Sequence, residues 1–163
     1  MSDEDSLYVL EYPGYGAREG SPSLESINQA ASEAYRLLRS QHPNTPVCVL
    51  GESLGSGPAC TLALEKVAPD KFVLVVPFDT LANVAAQRFF FLPVRLMLRD
   101  NWNNVEALKG YTGPVEIYGA TGDTIIPIEH AKALAKQIPG AHFTPITGGH
   151  NDWSWNDQVK IRR

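Results

Sequence analysis

The chain has 163 residues, 44% of them hydrophobic and 20% charged, with a formal net charge of −4. That size suits one domain with a core of its own, and residues 1–163 read as one. The acidic balance excludes the basic footprint that nucleic acid or an anionic membrane needs, and two cysteines are too few for a disulfide framework.

The N-terminus, MSDEDS, is acidic and polar, the opposite of an export signal. Residues 7–12 (LYVLEY) read as a first strand running into the turn Pro13-Gly14-Tyr15-Gly16. Ser21-Pro22 predicts a helix start, with Leu24, Ile27, Ala31, Ala34, Leu37 and Leu38 at helical spacing behind it. Residues 46–50 form a short apolar run that predicts a strand, and Pro58, Ala59, Ala63 and Val67 mark the helix after it. Cys48 and Cys60 read as buried small hydrophobes.

Residues 72–76 (FVLVV) show no alternation, as expected of a strand covered on both faces. Residues 84–98 are the most apolar stretch. Gln87, Arg88, Pro93 and Arg95 interrupt it, and it is too short to cross a bilayer, so no stable membrane insertion is expected. A cytoplasmic setting is the default expectation. Residues 105–109 predict a short helix, 115–118 a strand, 128–138 a helix, 142–146 the last strand and 151–161 a terminal helix. Strand-helix alternation of this kind predicts an α/β fold: a three-layer αβα sandwich with a mainly parallel sheet of about five strands. Ligands in such sheets sit beyond the strand C-termini.

At the end of the second strand stands Gly51-Glu52-Ser53-Leu54-Gly55, the G-x-S-x-G pattern of a serine held out on a sharp strand-to-helix turn. The crowded turn favours small residues at Gly51 and Gly55, and the Leu54 N–H is one donor for an oxyanion. The bland reading is a glycine-rich turn whose serine has no role. Asp123 follows the fourth predicted strand and His150 the fifth, so both fall on the same sheet edge as Ser53. The order Ser, Asp, His is that of a hydrolase triad: the histidine takes the hydroxyl proton, and the carboxylate fixes its tautomer. Asp79, also in a post-strand loop, is the rival acid; its other roles are pocket lining or a helix cap. His42, His130 and His142 read as surface or packing histidines.

These residues together resemble a known family. Residues 12–16 with 20–23, Gly51 to Gly55, Gly119 to Asp123 with Pro127, and residues 148–152 are similar to the α/β-hydrolase superfamily. The resemblance is to its branch of small Bem46-like and abhydrolase-domain serine hydrolases, which residues 78–81 and 98–102 share. It runs nearly end to end. It implies hydrolysis of a small-molecule ester or thioester by Ser53, Asp123 and His150, with no metal or organic cofactor. Such proteins carry about three further strands before residue 7, and an oxyanion loop after the third. Without that loop a second oxyanion donor is needed; losing one typically costs about 10²–10³ in rate. The reading here is that residues 7–12 move beside the elbow strand, so that the N–H of Gly14 or Tyr15 serves. The other reading is a chain that needs a partner, a homodimer being one form, since an unpaired strand edge tends to pair.

Residues 81–104 stand where the resemblance implies a lid or pocket wall. Phe78, Asp79 and Phe90 are read as pocket residues, with Phe89 and Phe91 beside Phe90; the alternative is an ordinary core helix. The leading function is therefore a serine esterase or thioesterase. The alternatives are a weakly active or inactive scaffold on a shortened hydrolase fold, and a subunit active only in an assembly.

Overall fold

In the computed structural model, which describes residues 6–88, 101–156 and 158–159, four parallel strands form one sheet. Strands β1 (Cys48–Glu52), β2 (Lys71–Val75), β3 (Val115–Ala120) and β4 (Ala141–Ile146) lie side by side in chain order. Parallel neighbours need a crossover, and helices supply it. Helix α1 (Leu24–Gln41) precedes β1, and α2 (Ser56–Thr61), flanked by 3-10 turns at Ser53–Gly55 and Leu62–Leu64, joins β1 to β2. Helices α3 (Leu81–Arg88) and α4 (Asn104–Leu108) lie between β2 and β3, and α5 (Ile128–Gln137) between β3 and β4. Alternation in the sequence thus produced the expected class, a shortened α/β sheet with flanking helices.

Helix α1 begins two residues later than the Ser21-Pro22 signal predicts. Its cap is Ser23, whose Oγ accepts the Ser26 N–H at 3.0 Å while Ser26 Oγ accepts the Ser23 N–H at 2.9 Å. Two otherwise orphaned donors are satisfied in this reciprocal box. Ile27, Ala30, Ala31 and Tyr35 then recur at helical spacing and are buried, whereas Leu37 is turned to solvent.

Strand β2 carries the core on both of its faces. Phe72 and Leu74 join one cluster with Tyr35 of α1, Cys60 of α2, Leu108 of α4 and Leu134 of α5. Val73 and Val75 join another with Tyr118, Ala120 and Ile146, closed by Trp153 and Val159. The fully buried Phe72, Val73, Leu74 and Val75 each contribute about 1.5–3 kcal/mol.

Residues 7–12 do not form the expected first strand, so the sheet has four strands among the described residues rather than about five. Leu7 and Val9 are exposed, and only Leu10 and Tyr12 turn inward against the cores. A strand is made by its ladder, and among the described residues this segment has no ladder partner. Among the described residues, strand β1 consequently pairs with β2 alone. Its burial falls accordingly: Leu50 is 42% exposed, and Cys48, expected inside, is exposed. At the other end of the chain, the described part of the predicted terminal helix is a 3-10 turn, Trp153–Asn156.

Register aligns the strand ends. Glu52 pairs with Val75, Val75 with Tyr118, and Ala120 with Ile146. All four C-terminal ends therefore open on one edge, and the loops after them start together. The excursion from residue 81 to 103 leaves and returns through a stapled neck: Thr80 bridges Asn103, the Leu81 N–H donates to Trp102 O at 2.9 Å, and the Asn104 N–H donates to Asp79 O at 2.9 Å.

Candidate functional site

Ser53 sits directly after β1 with φ +51°, a left-handed conformation rare for a side-chain-bearing residue. Such backbone costs about 1–3 kcal/mol and persists only where its surroundings over-determine it. Three contacts do so. A Cβ on Gly51 would lie 2.7–2.9 Å from Ala59 Cβ, Gly55 O and Ser56 Cα, so only glycine lets the turn close. Ser56 Oγ donates to Ser53 O at 2.7 Å, and Asn104 Nδ2 donates to Ser56 Oγ at 3.1 Å and to Phe78 O at 2.9 Å. The Trp102 indole lies flat against α2, where a Cβ on Gly57 would be only 2.5 Å from it. Nothing in the one-dimensional pattern marked Ser56 or Asn104, because their partners stand 48 residues apart in the chain.

His150 and Asp123 meet Ser53 at this edge. His150 Nδ1 is 2.6 Å from Asp123 Oδ2, and His150 Nε2 is 2.7 Å from Ser53 Oγ. The other Asp123 oxygen accepts the N–H groups of Ile125 and Ile126, both at 2.8 Å, so the carboxylate is saturated and its side chain fully buried. A carboxylate only accepts, so Nδ1 carries the proton and the Nε2 lone pair faces the serine hydroxyl. The two loops are joined by the Gly122 N–H donating to Gly148 O at 2.9 Å. Trp153 Nε1 donates to Glu52 Oε1 at 2.7 Å, which ties the segment after His150 to the residue before Ser53. An imidazole held this way can accept the hydroxyl proton as the oxygen attacks a carbonyl carbon and return it to the leaving group.

The rival acid has a different partner. Asp79 Oδ1 is 2.8 Å from His130 Nδ1, and Asp79 Oδ2 accepts Asn83 Nδ2 at 2.6 Å. Gln87 caps His130 Nε2 at 2.7 Å. Burial pushes the Asp79 carboxyl up, but hydrogen bonds from His130, Asn83 and the Thr80 N–H outweigh it and hold the group below the usual carboxylate range. His130, read from sequence as a surface or packing histidine, is a buried, paired one.

The remaining expected site residues divide. Leu54 lies in the first turn after Ser53, where N–H groups lack intrahelical acceptors. Gly14 and Tyr15 do not offer theirs: the Gly14 N–H donates to Arg18 O and the Tyr15 N–H to Tyr12 O, each at 3.0 Å. The tight turn that the glycines permit uses both donors internally. Phe78 is fully buried in one cluster with Ile27, Trp102 and Ile126, and Leu81 and Val84 of α3 pack against it. Phe90, with Phe89 and Phe91, lies outside the described residues. A groove lined by Tyr35, Arg36, Arg39 and residues 64–67 opens at the other end of α2, where Arg36 is already paired with Glu65 and Arg39 with Asp70.

Among the described residues, no group of three or more His, Cys, Asp or Glu side chains is placed to hold a metal ion. No described helix is long and apolar enough to cross a membrane.

No protein-family model matches the chain. An uncharacterized protein of Mycobacterium tuberculosis is 32% identical over 151 residues, covering 90% of this chain and 53% of that protein. The alpha/beta hydrolase domain-containing protein WAV2 of Arabidopsis thaliana is 26% identical over 172 residues, covering 92% of this chain and 55% of that one. The chain thus spans about half the length of these curated relatives. Among solved structures, Est1E of Butyrivibrio proteoclasticus with ferulic acid bound superposes with a TM-score of 0.68 at 16% identity, over 86% of this chain and 67% of that one.

Proposed function

We propose that this chain, which belongs to the α/β-hydrolase superfamily, is a serine hydrolase that cleaves small-molecule carboxylic esters or thioesters through an acyl-enzyme. One observation carries the reading: the unbroken line Ser53 Oγ, His150 Nε2, His150 Nδ1, Asp123 Oδ2, with steps of 2.7 and 2.6 Å across the hydrogen bonds. Ser53 is the nucleophile, His150 the base and then the acid, and Asp123 the group that fixes the imidazole and stabilises its charged form. The Leu54 N–H is one oxyanion donor. The apolar cluster of Phe78, Leu81, Val84 and Trp102 beside the elbow suits the acyl side of the substrate. Two free thiols agree with a reducing, cytoplasmic setting.

Turnover of a p-nitrophenyl ester series and a matching thioester tests it. Wild type should hydrolyse one of them, with the rate falling by about 10⁶ in Ser53→Ala. A folded wild type no faster than Ser53→Ala contradicts the reading.

A second reading rests on the outer edge of β1, which has no ladder partner among the described residues. Exposed strand edges recruit other strands, and in this reading activity belongs to an assembly such as a homodimer. Specific activity that rises with protein concentration, in step with sedimentation, supports it. Concentration-independent activity of a monomer removes it.

A further inference from the structure

Resting on the serine-hydrolase reading above, we propose that Ser56 and Asn104 are positioning residues. Together they hold the carbonyl of Ser53 and so aim the Leu54 N–H at the oxyanion.

Ser53 C=O and Leu54 N–H belong to one peptide plane and point in opposite directions across it. Whatever holds the oxygen therefore aims the hydrogen. Ser53 O accepts both the N–H and the hydroxyl of Ser56, the hydroxyl at 2.7 Å. The Leu54 N–H faces the other way, in a first turn where such groups lack intrahelical acceptors.

A serine hydroxyl can rotate, and Asn104 takes that freedom from Ser56. Asn104 Nδ2 donates to Ser56 Oγ at 3.1 Å and to Phe78 O at 2.9 Å. A hydroxyl that faces a donor accepts from it, so its own proton is left for Ser53 O. The amide cannot be turned over, because Phe78 O only accepts and would then face Asn104 Oδ1. Ser56 is also held close under the strand end, its Cα 2.9 Å from the point a Cβ on Gly51 would occupy.

Packing alone does not account for Asn104. It is 1% exposed, yet its Oδ1 has no hydrogen-bond partner among the described residues. A buried orphan carbonyl is costly, and an apolar side chain of the same size would avoid it. Capping does not account for it either: Asn103 caps α4, its Oδ1 accepting the Glu106 N–H at 3.0 Å. What the site uses is the NH2 group. Its base is firm, since the Asn104 N–H donates to Asp79 O at 2.9 Å. Through this side chain the loop after β2 reaches the elbow.

Ester kinetics and binding of a trifluoromethyl ketone, which forms an oxyanionic hemiketal with the serine, test this in Ser56→Ala, Asn104→Leu and the double variant. Each single variant should lower kcat by about 10–100-fold with KM little changed. Affinity for the ketone should fall by the same factor, while affinity for the matching secondary alcohol stays. The double variant should lose no more than the worse single one, since both changes break one chain of bonds. Leu108→Ala, one turn along α4 in the buried core, controls for destabilisation: it should lower the melting temperature while kcat stays within about threefold. Suppose wild type turns over ester and binds the ketone. If Ser56→Ala and Asn104→Leu then change both by less than about threefold, or their losses multiply in the double variant, or Leu108→Ala loses kcat as they do, the positioning role is wrong and the serine-hydrolase reading stands. Should Asn104→Leu not fold, Ser56→Ala decides alone, because it removes one hydroxyl and leaves the packing. If wild type forms no ketone adduct and turns over no ester, the serine-hydrolase reading fails and takes the positioning role with it.

Discussion

Two Asp–His pairs lie at the same edge of the sheet, at nearly the same distance: 2.6 Å for Asp123–His150 and 2.8 Å for Asp79–His130. Both imidazoles are 9% exposed at the side chain. What separates them is what the far nitrogen meets. His150 stands in a loop and turns Nε2 to Ser53 Oγ; His130 stands in the first turn of α5 and has Nε2 capped by Gln87 of α3. The free oxygen of the second pair goes to Asn83, also on α3. The second pair is a closed joint between the β2 loop, α3 and α5, with no hydroxyl to activate. An Asp–His pair becomes chemistry only where its outward nitrogen faces a nucleophile that substrate can reach.

The sharpest way to break the comparison is to remove each histidine. His150→Gln should cost about 10⁶ in kcat/KM, while His130→Gln should cost less than about tenfold and mainly lower the melting temperature. Steady-state ester hydrolysis with differential calorimetry reads both, and exchanged results would invert the assignment. The acids come next. Asp123→Asn should lose about 10⁴ in kcat by stabilising the wrong tautomer. Asp79→Asn should instead lose about 2 kcal/mol of stability, a drop of roughly 4–8 °C in melting temperature.

pH sharpens the same contrast. Asp79 is held below its ordinary value, so the pair stabilises the fold fully above the unfolded carboxyl pKa of about 3.9 and is lost as pH falls through the lower folded value. Urea unfolding from pH 7 to 3 should therefore show the gap between wild type and Asp79→Asn constant down to that point and closing beneath it. A gap that closes near neutrality would mean the pair is not held as described. The smallest effect concerns the brace behind His150. Trp153→Phe removes the bond to Glu52 and should cost about 1 kcal/mol and a few-fold in kcat.

The contrast also explains what sequence could carry. Ser53, Asp123 and His150 could be placed on one edge from sequence because each follows a strand, and strand-helix alternation fixes which edge a strand end occupies. The Asp79–His130 pair was not legible: its members are 51 residues apart, and nothing local distinguishes a histidine in a helix's first turn from a surface one. Residues 7–12 have strand composition, but composition reports preference for a ladder rather than its presence, and none forms there. Cys48 fails for the same reason, since its burial depended on that missing neighbour. Gly14 and Tyr15 sit in the expected turn, yet the turn itself consumes their N–H groups, which no local residue pattern marks.

The measurement that bears most directly on the account is covalent labelling by a fluorophosphonate, read by peptide mass spectrometry on wild type beside Ser53→Ala, His150→Gln and His130→Gln. The account predicts one adduct, on Ser53, absent in Ser53→Ala, strongly slowed in His150→Gln and formed at near wild-type rate in His130→Gln. A folded wild type that takes up no label, or takes it on another residue, would contradict the claim that Ser53, His150 and Asp123 form the working site.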